Sequence, residues 1–201
     1  MGFYALWTLW AFVLVRYPDL NRGGVLRATV RIGVWIIPVL LFVRAVEGPP
    51  VLERLGLRRG VGRGVAIGLL GFVVVLLLAA LRRGSGVLHL RLPTDAATWL
   101  NPVLTAPLAE ELVFRSLVFR VLRERFSVAV GLLASSLLFA LIHLPYWWMA
   151  GEKTGTGLLL EFGLIFGYGI LFAGLFQWSG SLLSPLVCHW LNNFLMIAST
   201  S

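Results

Sequence analysis

Long uninterrupted apolar runs constrain the fold of this chain more than any other feature. Near-continuous runs occupy residues 32–46, 65–81, 128–143, 158–176 and 182–197. Several of them approach the ~20 residues that a helix needs to cross the hydrocarbon core of a bilayer. The pattern predicts an all-α fold, a polytopic membrane helix bundle of about six to eight transmembrane helices.

Composition supports a membrane protein. The 201 residues are 59% hydrophobic and only 13% charged, with a mean hydropathy of +0.89, which lies outside the range of ordinary soluble domains. We expect a single integral membrane domain over residues 1–201. The short run at residues 3–15 lacks the basic start and cleavage site of a secretory signal, so it is predicted to be a retained helix.

The net charge of +8 comes almost wholly from arginines that lie between the apolar runs. Juxtamembrane arginines usually mark the cytoplasmic side and contact anionic lipid, so the lipid bilayer is an expected partner. The cluster Arg120, Arg123 and Arg125 predicts a cytoplasmic end for the preceding helix. No soluble domain presents a basic face, which argues against nucleic acid as a partner. The arginine-rich, lysine-poor composition indicates a multi-pass protein of a prokaryotic cytoplasmic membrane.

Two adjacent glutamates, Glu110 and Glu111, are followed by Arg115 within an apolar context. Each charge at membrane depth costs roughly 2.5–3.5 kcal/mol, so such a group indicates pairing, a watery cavity or chemistry. At about 100° per residue, Glu111 and Arg115 share a helix face and Glu110 projects away from it. We therefore predict that Arg115 pairs with Glu111 and leaves Glu110 free as a general base or acid. A purely structural ion-pair cluster is the alternative.

Histidines on later segments add to this group. His189 and Asn193 are four residues apart and hence on one helix face. A lone histidine in an apolar helix is usually a packing residue, but His143 and His189 together with Asn193 and a free glutamate favour a functional site. His89, in a loop between arginines, is predicted to be interfacial. Cys188 points about 100° away from His189 and is predicted to lie in the core.

Three motifs, Glu-Glu-x-x-x-Arg, Phe-x-x-x-His and His-x-x-x-Asn, occur in this order on successive helices. In this they resemble the CPBP family of intramembrane endopeptidases, which includes the CAAX prenyl endopeptidases and the bacterial Abi-type proteins. The resemblance covers residues 101–197, implies a catalytic core at about residues 100–198, and extends to a similar lead-in at residues 53–59. It implies catalytic roles for Glu110, His143, His189 and Asn193, with Glu111 and Arg115 as a supporting pair.

The resemblance also implies a reaction. Glu110 and His143 would activate a water for attack on a peptide bond of a membrane-associated protein or peptide, without a cofactor. His189 and Asn193 would stabilise the oxyanion. Glu110 and His143 should then lie within one water's reach, roughly 3–6 Å. His189 and Asn193 should face the same cavity, which is expected to open toward the Arg120–Arg125 end or laterally to lipid.

The sequence also allows other interpretations of these residues. Zinc or another divalent metal could be held by Glu110, His143 and His189 as two imidazoles and a carboxylate. No Ser-His-Asp set is visible for serine catalysis. A transporter, or an inactive membrane scaffold such as an immunity or maturation factor, could retain the same buried charges. The transporter is less favoured because no broken-helix pair occurs in matching halves of the chain.

Overall fold

The computed structural model describes residues 2–17, 24–83, 99–151 and 153–200, and these residues form helices and their connections without a β-strand. The helices are α1 (Gly2–Arg16), α2 (Gly24–Val46), α3 (Val51–Arg54), α4 (Val61–Arg83), α5 (residues 100–125), α6 (Val128–Leu141), α7 (Leu144–Ala150), α8 (Gly155–Ser179) and α9 (Leu183–Thr200). The predicted all-α fold is confirmed. His89 lies outside the described residues.

Four segments among the described residues are long and apolar enough to cross a membrane: Gly24–Val46, Val61–Leu81, Val128–Ala150 and Gly155–Ser179. They include α2, α4 and α8 and the combined length of α6 and α7. The shorter apolar helix in α1 and the more polar α5 and α9 pack with them in the described bundle. The predicted polytopic bundle is confirmed, and the chain is an integral membrane protein.

Local sequence signals set the ends of several helices. The hydroxyl of Ser127 accepts a hydrogen bond from the backbone N–H of Val130 at 3.2 Å and so begins α6, as N-terminal serines commonly do. Gly180 ends α8 in the left-handed conformation, with φ +70°, which glycine adopts at no steric cost. Pro145 lies in the first turn of α7, where its missing N–H is tolerated.

Helix α5 is irregular around the two glutamates. Its α-helical turn, Ala106–Glu111, lies between two π-helical stretches, Leu100–Thr105 and Leu112–Phe119. A further π-helical stretch occurs in α2 at Ile32–Ile36. Wide turns of this kind are rare in proteins overall, but those that occur are often at functional sites. They also rotate side chains away from the regular spacing of 100° per residue, so the facing of α5 residues cannot be taken from simple periodicity.

Small residues allow α4 to pack closely against α9. A Cβ added to Gly68 would lie 2.7 Å from the carbonyl oxygen of Ser184, and one added to Gly64 would lie 2.5 Å from the Ser181 hydroxyl. Any larger residue at Gly68 would therefore push the helices apart. This contact sets the position of α9, which carries His189.

The connection between α2 and α4 is inserted into one end of the bundle. Leu55 is fully buried, and its carbonyl oxygen accepts a hydrogen bond from the hydroxyl of Ser116 on α5 at 2.8 Å. The carbonyl of Gly56 accepts from the backbone N–H of Leu182, just before α9, at 2.9 Å. The lead-in at residues 53–59 thus ties α5 to the start of α9.

Candidate active site

The predicted pair of Glu111 and Arg115 is confirmed. Nε of Arg115 lies 3.1 Å from Oε2 of Glu111, and both side chains are fully buried. The guanidinium also lies over the rings of Phe139 and Phe172, at 4.4 and 5.4 Å from their centroids. Aromatic faces attract a desolvated cation. Arg115 is therefore held on two sides inside the bundle.

His189 lies between the two glutamates. Its Nδ1 is 2.8 Å from Oε1 of Glu111, and its Nε2 is 3.8 Å from Oε2 of Glu110. Because an ionised carboxylate can only accept, Nδ1 donates to Glu111. Phe172 stacks on the imidazole at 4.6 Å and 23°, and Phe139 meets it edge-on at 6.0 Å and 87°. The ring orientation of His189 is thus fixed by a carboxylate and two aromatic rings.

Glu110 is not free, which corrects the expectation from helix periodicity. Nη1 of Arg31 lies 2.9 Å from Oε1 of Glu110, and the two side chains are only 9% and 7% exposed. Arg31 belongs to α2, 79 residues earlier in the chain. Periodicity within α5 could exclude Arg115 as the partner but could not show a cation arriving from another helix. Sequence analysis missed Arg31, since an arginine at the edge of an apolar run resembles an interfacial one.

His143 immediately precedes α7, and one of its ring nitrogens makes a hydrogen bond. Its Nδ1 lies 3.1 Å from the carbonyl oxygen of Phe139. A carbonyl only accepts, so Nδ1 carries the proton and Nε2 keeps its lone pair in the neutral ring. Trp147 and Phe139 flank the imidazole, with centroids 5.4 and 5.3 Å away. The free nitrogen can therefore act as a hydrogen-bond acceptor or a base.

A cavity of about 280 Å³ brings the predicted residues together. Its lining includes Glu110, His143, His189 and Asn193. Further polar side chains that sequence analysis did not single out also line it: Arg27, Arg31, Asn101, Glu161, Tyr168 and Asn192. The polar groups of this cavity thus come from five parts of the chain: α2, α5, the junction of α6 and α7, α8 and α9.

The cavity lies along the first half of α5. Its lining runs from Glu110 to Asn101 and includes Met196 near the end of α9. It therefore extends away from the Arg120–Arg125 end of α5, which was one of the two predicted openings. The other predicted opening, laterally to lipid, stays a prediction.

Asn193 lines the cavity but is also tied to the backbone. Its Nδ2 donates to the carbonyl oxygen of Pro102 at 2.8 Å, and its Oδ1 accepts from Nδ2 of Asn192 at 3.2 Å. The side-chain amide carries two hydrogens, so one donor remains beyond the contact with Pro102. The neighbouring Asn192 is itself buried.

The alternative prediction was a metal site formed by Glu110, His143 and His189. Among the described residues, no group of three or more His, Cys, Asp or Glu side chains could hold a metal ion. Within that part of the chain, Glu110, His143 and His189 are therefore not grouped closely enough to form the predicted alternative metal set.

Residues 92–195 match the family model described as Type II CAAX prenyl endopeptidase Rce1-like. The chain belongs to this family. The matched segment covers more than half of the chain and contains Glu110, His143, His189 and Asn193. Comparisons with curated proteins and with solved structures found no match.

Membership of the Rce1-like family confirms the resemblance to intramembrane endopeptidases and implies a hydrolase of the protease class acting at the membrane. Arg31 and the first two helices lie before the matched segment. Cys188, adjacent to His189, is fully buried, as predicted.

Proposed function

We propose that this protein is a glutamic-type intramembrane endopeptidase that hydrolyses a peptide bond of a membrane-associated protein or peptide. The observation that carries the proposal is the single cavity lined by Glu110, His143, His189 and Asn193. The cavity combines a carboxylate, two imidazoles and an amide. These are the groups that water-mediated acyl transfer requires. The arginine-rich composition favours a prokaryotic cytoplasmic membrane as its location.

In the proposed reaction, Glu110 and His143 activate the water. Oε1 of Glu110 is engaged by Arg31, so Oε2 takes the proton from the attacking water. Nε2 of His143 keeps its lone pair because Nδ1 donates to Phe139, and it accepts the second hydrogen of the same water. The oxygen of that water then attacks the peptide carbonyl. Glu110 returns the proton to the leaving amine as the carbon–nitrogen bond breaks.

Oxyanion stabilisation falls to His189 and Asn193. Since Nδ1 of His189 already donates to Glu111, Nε2 can donate to the oxyanion only when the ring carries both protons. The second amide hydrogen of Asn193 supplies the other donor. Each well-placed donor contributes about 3–4 kcal/mol to transition-state stabilisation.

The test compares variants in two assays: cleavage by the purified protein in liposomes, and cleavage in cells that express the protein. We expect Glu110→Gln and His143→Ala to abolish cleavage, because either change removes a contact to the water. Glu124→Gln is the matched control, since Glu124 is an exposed glutamate on the same helix, outside the cavity. Membrane peptidomes of cells carrying the wild type and Glu110→Gln would identify the cleaved substrates.

Two outcomes would contradict the proposal. If Glu110→Gln retains the cellular function and the peptidome is unchanged, the protein is a scaffold rather than a protease. If a strong chelator abolishes cleavage and zinc restores it, the metal-free mechanism is wrong.

A further inference from the structure

The candidate base is bound by a cation from outside the segment that defines the family. Arg31 lies in α2, whereas the family match begins at residue 92. Its Nη1 is 2.9 Å from Oε1 of Glu110, and both side chains are nearly inaccessible to solvent. A charge-assisted hydrogen bond of this kind is short, strong and directional. It therefore constrains where the Glu110 carboxylate points.

Arg31 is itself fixed by aromatic rings. Its guanidinium lies 5.0 Å from the ring centroid of Trp7 on α1 and 5.7 Å from that of Trp35 on α2. The two indoles contact each other edge to face, at 4.8 Å and 74°. Nε1 of Trp7 donates to the carbonyl oxygen of Ile142 at 2.7 Å, immediately before His143. The first two helices thus reach both groups that are proposed to activate the water.

The contact distinguishes the two oxygens of Glu110. Oε1 is occupied by Arg31, while Oε2 lies 3.8 Å from Nε2 of His189 and is the oxygen with open lone pairs. A carboxylate without a cation in this buried position would be strongly disfavoured in its charged form. The charged form is the one that can accept a proton from water.

We propose that Arg31 is a positioning residue that binds Oε1 of the Glu110 carboxylate and turns its Oε2 toward the attacking water. The active site is then completed by α1 and α2, which the family segment does not include. This inference rests on the proposed function, because it assumes that Glu110 is the base.

The first experiment separates positioning from folding. We expect Arg31→Gln to lower kcat about 10²-fold, the loss that a displacement of about 1 Å in a reacting group can cause, while KM changes little. Arg31→Lys keeps the cation but not the planar fork, so it should retain more activity than Arg31→Gln. Arg44→Gln is the matched control, since Arg44 is an exposed arginine of the same helix, and its kcat should equal that of the wild type.

The second experiment restores the missing group chemically. In Arg31→Ala, added guanidinium ion should recover part of kcat, because it can occupy the space beside Glu110 and supply the same charge and donors. Urea has a similar shape without the charge and should not recover it. Equal recovery by urea would mean that Arg31 only fills space, which overturns the inference.

A double-mutant cycle measured by thermal melting tests the contact between Arg31 and Glu110 without an activity assay. Arg31→Gln should lower Tm, and adding Glu110→Gln to it should raise Tm again, because the unpaired buried charge is removed. Additive losses in the double variant would mean that the two residues are not coupled and would overturn the inference. The double variant also remains measurable if Arg31→Gln alone does not fold.

The activity data separate this inference from the proposed function. If Glu110→Gln is inactive and Arg31→Gln has the kcat of the wild type, the positioning role alone is wrong. If Glu110→Gln is fully active, both proposals are wrong.

Discussion

At the scale of single residues, two buried ion pairs with a histidine between them run through the centre of the bundle. Arg31 contacts Glu110, His189 lies between Glu110 and Glu111, and Glu111 contacts Arg115. Burying each ion away from water costs several kcal/mol, and close partners offset that cost only while every partner is present. Removal of one cation therefore leaves an uncompensated charge inside the protein.

Arg115→Ala should destabilise the protein by about 3–5 kcal/mol, the usual result of breaking a buried ion pair. Both Arg115 and Glu111 are fully buried, so water cannot replace the lost guanidinium. Thermal melting of the purified protein in detergent measures the change in stability. Arg59→Ala is the control, because Arg59 is exposed, and it should melt with the wild type. Wild-type stability of Arg115→Ala would contradict this account.

Glu110→Gln should cost less stability than Arg115→Ala in the same assay. The glutamine oxygen still accepts a hydrogen bond from Arg31, so no donor is left without a partner. From the sequence, this change would leave melting unchanged, since Glu110 was expected to be free. The contact with Arg31 at 2.9 Å instead predicts a small loss. A loss as large as that of Arg115→Ala would remove the distinction between the two glutamates.

At the scale of helices, apolar periodicity located most spans but not their irregularities. The runs at residues 65–81 and 158–176 lie within α4 and α8. The π-helical stretches of α5 were not predicted. A π-helical turn holds about one residue more than an α-helical turn, and this does not change the mean hydropathy of the segment. The pair of Glu111 and Arg115 was predictable because it is local to one helix. The partner of Glu110 was not, since periodicity cannot orient one helix against another.

Gly68→Ala should lower both stability and activity, because the new Cβ would lie 2.7 Å from the carbonyl oxygen of Ser184 on α9. Separation of α4 from α9 would move His189 relative to Glu111. Gly62→Ala is the matched control, as nothing lies within 4 Å of a Cβ there, and alanine stabilises a helix interior by up to about 1 kcal/mol. Melting and turnover of the two variants check this. Equal behaviour of both would show that close packing at Gly68 is unimportant.

At the scale of the whole molecule, arginines from different segments make contacts at one end of the bundle. Arg120 contacts Glu47 and donates to the backbone of Arg54, while Arg63 donates to the carbonyl of Trp178 at 3.0 Å. The first two contacts join the end of α5 to the end of α2 and to α3, and the third joins the start of α4 to the end of α8. The positive-inside tendency predicts that this end faces the cytoplasm. The cavity then lies nearer the other leaflet.

Cysteine labelling tests this orientation. Phe126 and Thr154 lie outside opposite ends of the segment Val128–Ala150, and both are exposed. A membrane-impermeant maleimide should label Thr154→Cys in intact cells and Phe126→Cys only after permeabilisation. The native protein should remain unlabelled in both, since Cys188 is fully buried. The reverse pattern would place the Arg120–Arg125 end outside the cell.

The stacking of Phe172 on His189, at 4.6 Å and 23°, also limits how that histidine can move a proton. With Phe139 edge-on beside it and Nδ1 bonded to Glu111, a half-turn of the imidazole about its bond to Cβ would break these contacts. Its two nitrogens therefore keep separate neighbours throughout a turnover. A proton that arrives at Nε2 can leave toward Glu111 only from Nδ1, by relay through the ring and never by rotation of the ring.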